Sequence, residues 1–339
     1  MHSAPNLIVA LDDRAAVLML RIDSETSNPD WKNLMRRSLG ETRNYASLMS
    51  RAGFIDAARN AGVLAPAIRA ITCEASLDSA LRDIGFPAVL KADGSWGGDG
   101  IVIVHDRDEA LAAYMNLSNP PSRLRSVARA MRRNDGHFLL DAVNMPRPTI
   151  SLQAFIAGIP ATSAFACWEG DVLAANHLEA VATQGATGPA SVLRRIDNEQ
   201  MDQAAARMAA CFGLSGLHGL DYVKDARGNM HLIEINPRAP QATYLSFGPA
   251  HDLAAALVSK IAEHRVIERP RIGSDTVALF PQEWSRDPMS PWLKAAYHDV
   301  PWDDPALIRA WVQSKAGAVF RGLPETPESV AFQNRIRQT

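Results

Sequence analysis

The chain has 339 residues, 47% of them hydrophobic and 21% charged, with a formal net charge of −2. That length supports two or three domains around a substantial core, and the charge balance excludes the basic footprint of a nucleic-acid-binding protein. Cys73, Cys167 and Cys211 are widely spaced and form no CxxC pair, which argues against a zinc site or disulfide framework and fits a reducing cytoplasm. No basic-then-apolar leader opens the chain, and no run approaches the ~20 apolar residues of a membrane span.

In chain order, Asn6–Leu11 reads as a buried strand, and Asp12-Asp13 caps a helix with Ala16 and Leu20 on its apolar face. Ser50–Ala61 has helical periodicity and stops at Gly62, with Pro66 beyond it. Ile68–Cys73 is a strand, and Ser76 caps a short helix ending at Gly85. Next, Phe86-Pro-Ala-Val-Leu-Lys91 and Ile101–Val104 flank a loop with glycines at 94, 97, 98 and 100. Without Cβ atoms, such a loop lets backbone N–H groups close on phosphate oxygens. Lys91 ends an apolar strand, where an unpaired ammonium is costly, and so requires an anion. The Lys precedes the glycines, so this is not a GxxxxGK[ST] loop; a strand follows them, so it is not a dinucleotide fingerprint.

Helices are expected at Arg107–Leu117 and Pro121–Arg133, the second amphipathic and basic as solvated helix faces usually are. Thr149–Gly158 is a strand. Ala161–Trp168 and Asp171–Asn176 form a hairpin through Glu169-Gly170, after which His177–Pro189 departs as a loop. Asp197 opens a helix with Met201, Ala205, Met208 and Phe212 at core spacing, Gly213 ends it, and Ala250–His264 is a further helix. Beyond Arg265, prolines and tryptophans punctuate the chain around one strand, Val277–Phe280. The acids of His298–Pro305 read as caps and turn formers, not metal ligands.

The chemistry concentrates in Leu220–Val223 and Met230–Ile235, two strands joined by Asp225-Ala-Arg-Gly228. Period-two alternation places Leu232, Glu234 and Asn236 on one face, with Asp221 able to lie across the ladder. Two carboxylates and an amide oxygen make a hard, oxygen-only site suited to Mg²⁺, completed by water and phosphate. Arg238, just past the strand end, offers a planar fork to a phosphate or carboxylate. The bland alternative is a surface hairpin with a solvated Glu234. It explains neither an acid between Ile233 and Ile235 nor the Arg beyond the strand. No Ser–His–Asp or Cys–His arrangement is evident.

Asp221, then Glu234-x-Asn236, then Pro237-Arg238 resembles the metal-binding strand pair of the ATP-grasp superfamily. Pro87-x-x-x-Lys91 before Gly94-x-x-Gly97-Gly98-x-Gly100 resembles that superfamily's lid. The resemblance runs over residues 45–264 and implies an α/β (α+β) fold of two subdomains gripping ATP. The ATP-grasp domain would cover 46–264, with the lid over 86–150 and the metal-binding half over 151–264. Residues 1–45 would be a remnant or last part of a Rossmann-like domain, either a reduced fold or a chain beginning inside a longer parent. Residues 265–339 would pack on the body as cover.

The resemblance also implies roles. ATP would lie between the lid and the strand pair, with two Mg²⁺ ions (Mn²⁺ as a substitute) on Asp221, Glu234 and Asn236. Gly94, Ser95, Trp96, Gly97, Gly98, Gly100 and Lys91 would clamp its phosphates. Arg51 stands where a basic residue near a helix start reaches the phosphates; a solvated surface Arg is the other reading. Thr149–Gly158 would be the hinge strand, its backbone at Ala154, Phe155 and Ile156 meeting the adenine and Gln153 taking the amino group. An ordinary core strand would look alike. The acid that the family often places nearby for the ribose is missing at Ile159-Pro160-Ala161. Arg238, Lys91 and His218 are expected to act on the transferring phosphoryl group. His177, Glu179, Thr187, Arg194 and Arg195 would border the phosphates and acceptor, and Gln241 and Tyr244 the second substrate.

The implied activity is Mg-dependent ligation, in which ATP phosphorylates a carboxylate and an amine, or less often a thiol, attacks the acyl-phosphate. Its partners would be small-molecule carboxylate and amine substrates, with no nucleic acid and no membrane; a homodimer is an allowed assembly. Two alternatives stand beside it. One is a non-catalytic ATP-binding module, favoured by the missing ribose acid and by Arg at position 51. The other is a carboxylase or carbamoyl-phosphate-type subunit activating bicarbonate, although no biotin-carrier segment is visible.

Overall fold

Apolar runs separated by glycine and proline turns assemble into two sheets in the computed structural model, which describes residues 5–93, 100–118, 148–185 and 188–313. The expectations for Gly94–Gly98, Thr187, the helix Pro121–Arg133 and the chain beyond 313 fall outside the described residues.

The first sheet contains β1 (Ile68–Ile71), β2 (Ala88–Ala92), β3 (Ile101–Val104) and β4 (Ile150–Ala154), ordered β1-β4-β2-β3 with antiparallel neighbours. Two of the chain's helices, numbered fifth and sixth below, cover it through a core of Leu77, Leu81, Leu90, Val104, Ala110 and Leu152. The strand β2 is buried along its whole length, which is why it reads as a continuous apolar run ending in Lys91.

The second sheet has β5 (Ile159–Trp168), β6 (Asp171–Thr183), β7 (Ala190–Ile196), β8 (Gly216–Lys224), β9 (Met230–Asn236), β10 (Thr276–Leu279) and β11 (Tyr297–Asp299). Its order is β11-β10-β7-β6-β5-β8-β9, and only β10 and β11 run parallel. The helices are α1 (Asp13–Glu25), α2 (Pro29–Leu39), α3 (Tyr45–Met49), α4 (Arg51–Asn60), α5 (Glu74–Ile84), α6 (Arg107–Ser118), α7 (Glu199–Phe212) and α8 (Leu253–Ala262). Three short helices follow: α9 (Gln282–Arg286), α10 (Trp292–Ala295) and α11 (Pro305–Gln313).

One face of the second sheet packs on α7 and α4. Met201, Met208 and Phe212 of α7 join Phe54, Phe165, Leu220 and Tyr222 in the largest core, with the Phe54 and Phe212 rings 5.9 Å apart. Full burial of such side chains stabilises by about 1.5–3 kcal/mol each. The methionine spacing of α7 is therefore core, as its periodicity predicts. On the opposite face, α8 covers Ala164 and Ala166 through Leu253 and Leu257. The small residues on β5 let the helix approach.

Several local expectations change. Asn6–Leu11 forms no strand: the Ile8 N–H donates to Ser38 Oγ (2.9 Å) and the Ala10 carbonyl accepts from Ala239 N–H (3.0 Å), so isolated bonds replace a ladder. The amino-terminal segment is instead α1 and α2, whose Ala16, Met19, Leu34 and Met35 join the largest core. Helix α5 begins three residues earlier than read. Cys73 is its cap, and Ser76 Oγ accepts from the Thr72 and Cys73 N–H groups from inside the first turn. His177–Thr183 is not loop but the continuation of β6, paired with β7. Residues beyond Arg265 also add two strands to the sheet edge. Behind them Trp284, Leu293, Val300 and Ile308 form a separate small core.

Candidate functional site

The hairpin β8–β9 carries the metal-type residues. Asp221 lies opposite Glu234 and Gly219 opposite Asn236, so both carboxylates and the amide project from one face. The register then shifts: Tyr222 pairs with Leu232, leaving Ile233 as an extra residue. This bulge reverses the alternation. Leu232 therefore shares the core face with Leu220, Tyr222 and Ile235, and not the face of Glu234 and Asn236 that unbroken period two places it on.

The other groups come from β2, α4 and α1. Lys91 is buried at the end of β2, and Arg51, 9% exposed, opens α4 behind the Ser50 cap. Arg51 Nη2 donates to Glu234 Oε1 (3.1 Å), Nη1 donates to the Ala92 carbonyl, and Asp93 Oδ1 lies 3.7 Å from Nη1. Arg51 thus ties the first sheet to the hairpin of the second, which excludes the solvated-surface reading. Asn236 Nδ2 donates to Asp221 Oδ2 (2.8 Å), and Asn236 Oδ1 accepts from Arg238 Nη2 (3.1 Å). Arg238 Nε also donates to Asp13 Oδ1 (3.1 Å). Asp12 makes the helix cap, its Oδ1 accepting the Ala15 N–H (2.7 Å), which leaves Asp13 for the arginine.

Electrostatics follow from this packing. Burial lowers the Lys91 pKa from 10.5 to about 8; Arg51 pushes the same way, while Glu234 and Asp221 oppose. Desolvation raises Asp221, Glu234 opposite adds to the rise, and bonds from Thr162 and Asn236 oppose it. Asp93 is also raised, first by burial, with Arg51 opposing. A buried Asp221 held above its ordinary range with a second carboxylate facing it is the condition a divalent cation relieves. Among the described residues no cluster of three or more His, Cys, Asp or Glu is placed to hold a metal. The set is two carboxylates and an amide, which fits Mg²⁺ when phosphate oxygens and water complete the octahedron.

These groups border a cleft of about 1300 Å³. Its walls include Val89, Lys91 and Ile103 of the first sheet, the segment Gln153–Ile156, the β8–β9 hairpin, and Asp13, Val17 and Leu18 of α1. Gln153 is 2% exposed, and its Oε1 has no partner among the described residues. The Ala154 N–H donates to the Ala67 carbonyl (2.8 Å) and that of Phe155 to the Pro87 carbonyl (3.4 Å). Both N–H groups are therefore committed to the fold, while Gln153 Oε1 is a buried polar atom left open in the segment that lines the cleft. Gly100 has φ +79°, and its carbonyl accepts the Ala92 N–H (3.0 Å), closing the β2–β3 turn. Pro160 lines the cleft, and its neighbour Ala161 lies across the ladder from Glu179, whose carboxylate accepts from Lys224.

His218 departs most from expectation. Strand alternation puts it on the core face, opposite Asp221. It is fully enclosed, its Nε2 2.8 Å from the Ser215 carbonyl and its ring 5.7 Å from that of Phe165. Burial lowers its pKa to about 4, so it is a neutral core residue that cannot face a phosphate. Other candidates are engaged in the fold: Glu179 accepts from Lys224 and lies 3.9 Å from Arg194, and Arg195 donates to Asp197 (2.6 Å). Gln241 lines the cleft, whereas Tyr244 is not part of its wall.

A Ser–His–Asp contact does exist. Ser163 Oγ lies 2.7 Å from His177 Nδ1, and His177 Nε2 lies 2.8 Å from Asp202 Oδ1. Ser163 is 0% exposed and lies outside the cleft wall, so this is a buried bridge between β5, β6 and α7 and not a nucleophile. A one-residue bulge at Ala166/Cys167 sets Ser163 opposite His177, where an unbroken hairpin would place Thr162. Asp13, Asp93 and Thr162 are site neighbours that sequence reading missed, because only tertiary packing brings them in.

An ATP-grasp domain family model matches residues 126–242. Among solved structures, the chain is similar to the biotin carboxylase domain dimer of 2-oxoglutarate carboxylase from Hydrogenobacter thermophilus, in complex with MgADP, ADP and bicarbonate. That match has 15% identity over 74% of this chain and 51% of that one, with a TM-score of 0.51. N5-carboxyaminoimidazole synthetase from Staphylococcus aureus, complexed with ADP, matches at 10% identity over 78% of this chain and 62% of that one, TM-score 0.51. Biotin carboxylase from Campylobacter jejuni, in a β-γ-ATP complex, matches at 13% identity over 74% and 52%, TM-score 0.50. The chain spans between half and two thirds of the length of these structures. Two sheets facing across the cleft, the family match over residues 126–242 and these fold-level likenesses agree on the ATP-grasp fold.

Proposed function

We propose that the chain is an ATP-dependent ligase that activates a carboxylate as an acyl-phosphate for attack by an amine, acting in the cytoplasm on small molecules. One observation carries this reading: Lys91, Arg51, Arg238 and the Asp221–Glu234 pair converge in the same cleft that the unpartnered Gln153 Oε1 borders. The base would lie against Gln153–Ile156 and the phosphates among the charged groups. Lys91 and Arg238 would hold charge on the transferring phosphoryl oxygens, and Arg51 would orient Glu234, so the protein contributes positioning and electrostatics. Bound Mg²⁺ on Asp221, Glu234 and Asn236 would supply charge neutralisation between the nucleotide phosphates. The transferred phosphoryl goes from the nucleotide to a carboxylate oxygen, ADP leaves, and the amine then displaces phosphate from the acyl carbon. Apolar walls such as Val89, Ile103 and Ile233 would limit water access to that acyl-phosphate.

The test is phosphate release from Mg-ATP with panels of carboxylic acids, using hydroxylamine to trap an acyl-phosphate as the hydroxamate. Acid-dependent release with hydroxamate is the expected outcome. Nucleotide binding without release for any acid and amine would instead support a non-catalytic module, a reading that the lack of an acid within Ile159-Pro160-Ala161 favours. Bicarbonate belongs in the panel, because the like-folded Hydrogenobacter thermophilus domain is described with bicarbonate bound. Release with bicarbonate alone would move the reading to the carboxylase class.

A further inference from the structure

Strand β5 turns Pro160, Thr162 and Ala164 to the cleft, and Ala161 and Phe165 to the largest core. Pro160 and Ala164 carry no hydrogen-bonding side-chain group, whereas Thr162, half-buried between them, carries a hydroxyl. Backbone register fixes what that hydroxyl meets. Thr162 lies opposite Asp221 of β8 on one side and opposite Leu178 of β6 on the other. Leu178 is fully buried and apolar. The polar neighbour across the ladder is Asp221, to whose carboxylate the Thr162 hydroxyl donates. From β9, on the other side of β8, Asn236 Nδ2 donates to Asp221 Oδ2 (2.8 Å). The carboxylate is thus held by donors from both neighbouring strands. A carboxylate offers about four lone-pair sites, so two donors fix its plane and leave sites open for a cation. A β-branched residue suits a strand without any part in binding. A valine would meet that preference as well, so the hydroxyl needs a second reason.

Resting on the Mg²⁺-nucleotide reading of the cleft, we propose that Thr162 is a positioning residue for the metal, its hydroxyl fixing the Asp221 carboxylate in the orientation that Mg²⁺ takes. Mg²⁺ demands near-octahedral geometry, so a carboxylate free to rotate binds it less well. Groups that hydrogen-bond a metal ligand are typically worth about 10–100-fold in metal affinity. Thr162 stands outside the β8–β9 hairpin, and so it ties the hairpin's ligand to the middle of the sheet. Its contribution belongs to the metal and not to the nucleotide.

The test is calorimetric titration of ADP into the full chain, with Mg²⁺ and with a chelator in its place, for wild type, Thr162→Val and Thr162→Ser. Thr162→Val should lose at least about tenfold in Mg-ADP affinity, while binding of metal-free ADP at millimolar concentration stays within error of wild type. Thr162→Ser keeps the hydroxyl and should recover most of the loss. Valine suits a strand, so the variant should fold. Unchanged Mg-ADP affinity in Thr162→Val would overturn the proposal. An equal loss with and without Mg²⁺ would do so too, because the hydroxyl would then serve the nucleotide itself. Thr162→Ser as weak as Thr162→Val would assign the effect to the lost shape of the side chain and overturn it equally. Each of these leaves the metal reading standing, provided that wild type binds ADP more tightly with Mg²⁺. A wild type indifferent to Mg²⁺, or one that binds no ADP, would sink both.

Discussion

Lys91→Met is expected to cut ATP-dependent phosphate release by at least about 100-fold, the scale of losing one preorganised charge at a phosphoryl centre. The same change should leave the ligand-free protein at least as stable as wild type. Lys91 is 4% exposed, and burial has pulled its pKa to about 8, so its charged form is held at a cost that Met does not carry. The sign follows from linkage. The folded pKa lies below the unfolded value, so the cost is fully present below pH 8 and is relieved as pH rises from about 8 past 10.5. Nucleotide binding should show the opposite trend, because the phosphates bind the ammonium and not the amine. Wild-type Mg-ATP affinity should fall by about tenfold between pH 7 and pH 9, and Lys91→Arg should flatten that slope. Undiminished activity in Lys91→Met, or a pH-independent wild-type affinity, would remove Lys91 from the phosphate site.

Asp221→Asn is the second large effect. Asp221 is raised by desolvation and by Glu234, so its ionised form costs stability at neutral pH, and stability should rise as pH falls through its folded pKa. Asn keeps the shape and removes that cost, so the melting temperature without ligand should be unchanged or higher. Mg-nucleotide affinity should fall by at least about 100-fold, since a carboxylate ligand to a hard cation is worth several kcal/mol and an amide replaces it poorly. Calorimetry with Mg-ADP checks the affinity and a melting curve checks the stability. Equal Mg-ADP affinity in the variant would show that Asp221 binds no metal.

Much of this site is legible in the sequence because its signals are local. Turn residues at Asp225–Gly228 fix the hairpin, the apolar run before Lys91 fixes a buried strand, and strand register then brings Asp221 opposite Glu234. What escapes is what local period cannot carry. The bulge at Ile233 moves Leu232 to the core face, and a second bulge at Ala166/Cys167 decides which residue meets His177. His218 carries a catalytic side chain type near the right place, but it stands an odd number of residues from Asp221, so alternation turns it inward. Arg51 is ambiguous in sequence because only contacts with Ala92 and Glu234, 41 and 183 residues away, distinguish a site arginine from a solvated one. Asn6–Leu11 fails for a related reason: an apolar run supplies burial but not a partner strand, and among the described residues Ser38 and Ala239 meet its backbone with isolated bonds.

Asp13 adds a point about the free protein. It holds Arg238 as Glu234 holds Arg51, so both arginines are oriented before any nucleotide arrives. Such pairing reduces the ordering cost of binding, at the expense of exchanging carboxylate contacts for phosphate ones. Asp13 on Arg238, and Glu234 with Asp93 on Arg51, are thus carboxylates that orient the site's arginines.

The most direct measurement is the melting temperature with and without ATP, in the presence and absence of Mg²⁺, for wild type and Glu234→Gln. The account predicts a rise in wild type only when ATP and Mg²⁺ are both present, and loss of that rise in the variant. No shift in wild type at millimolar Mg-ATP, or an equal shift in Glu234→Gln, would contradict it.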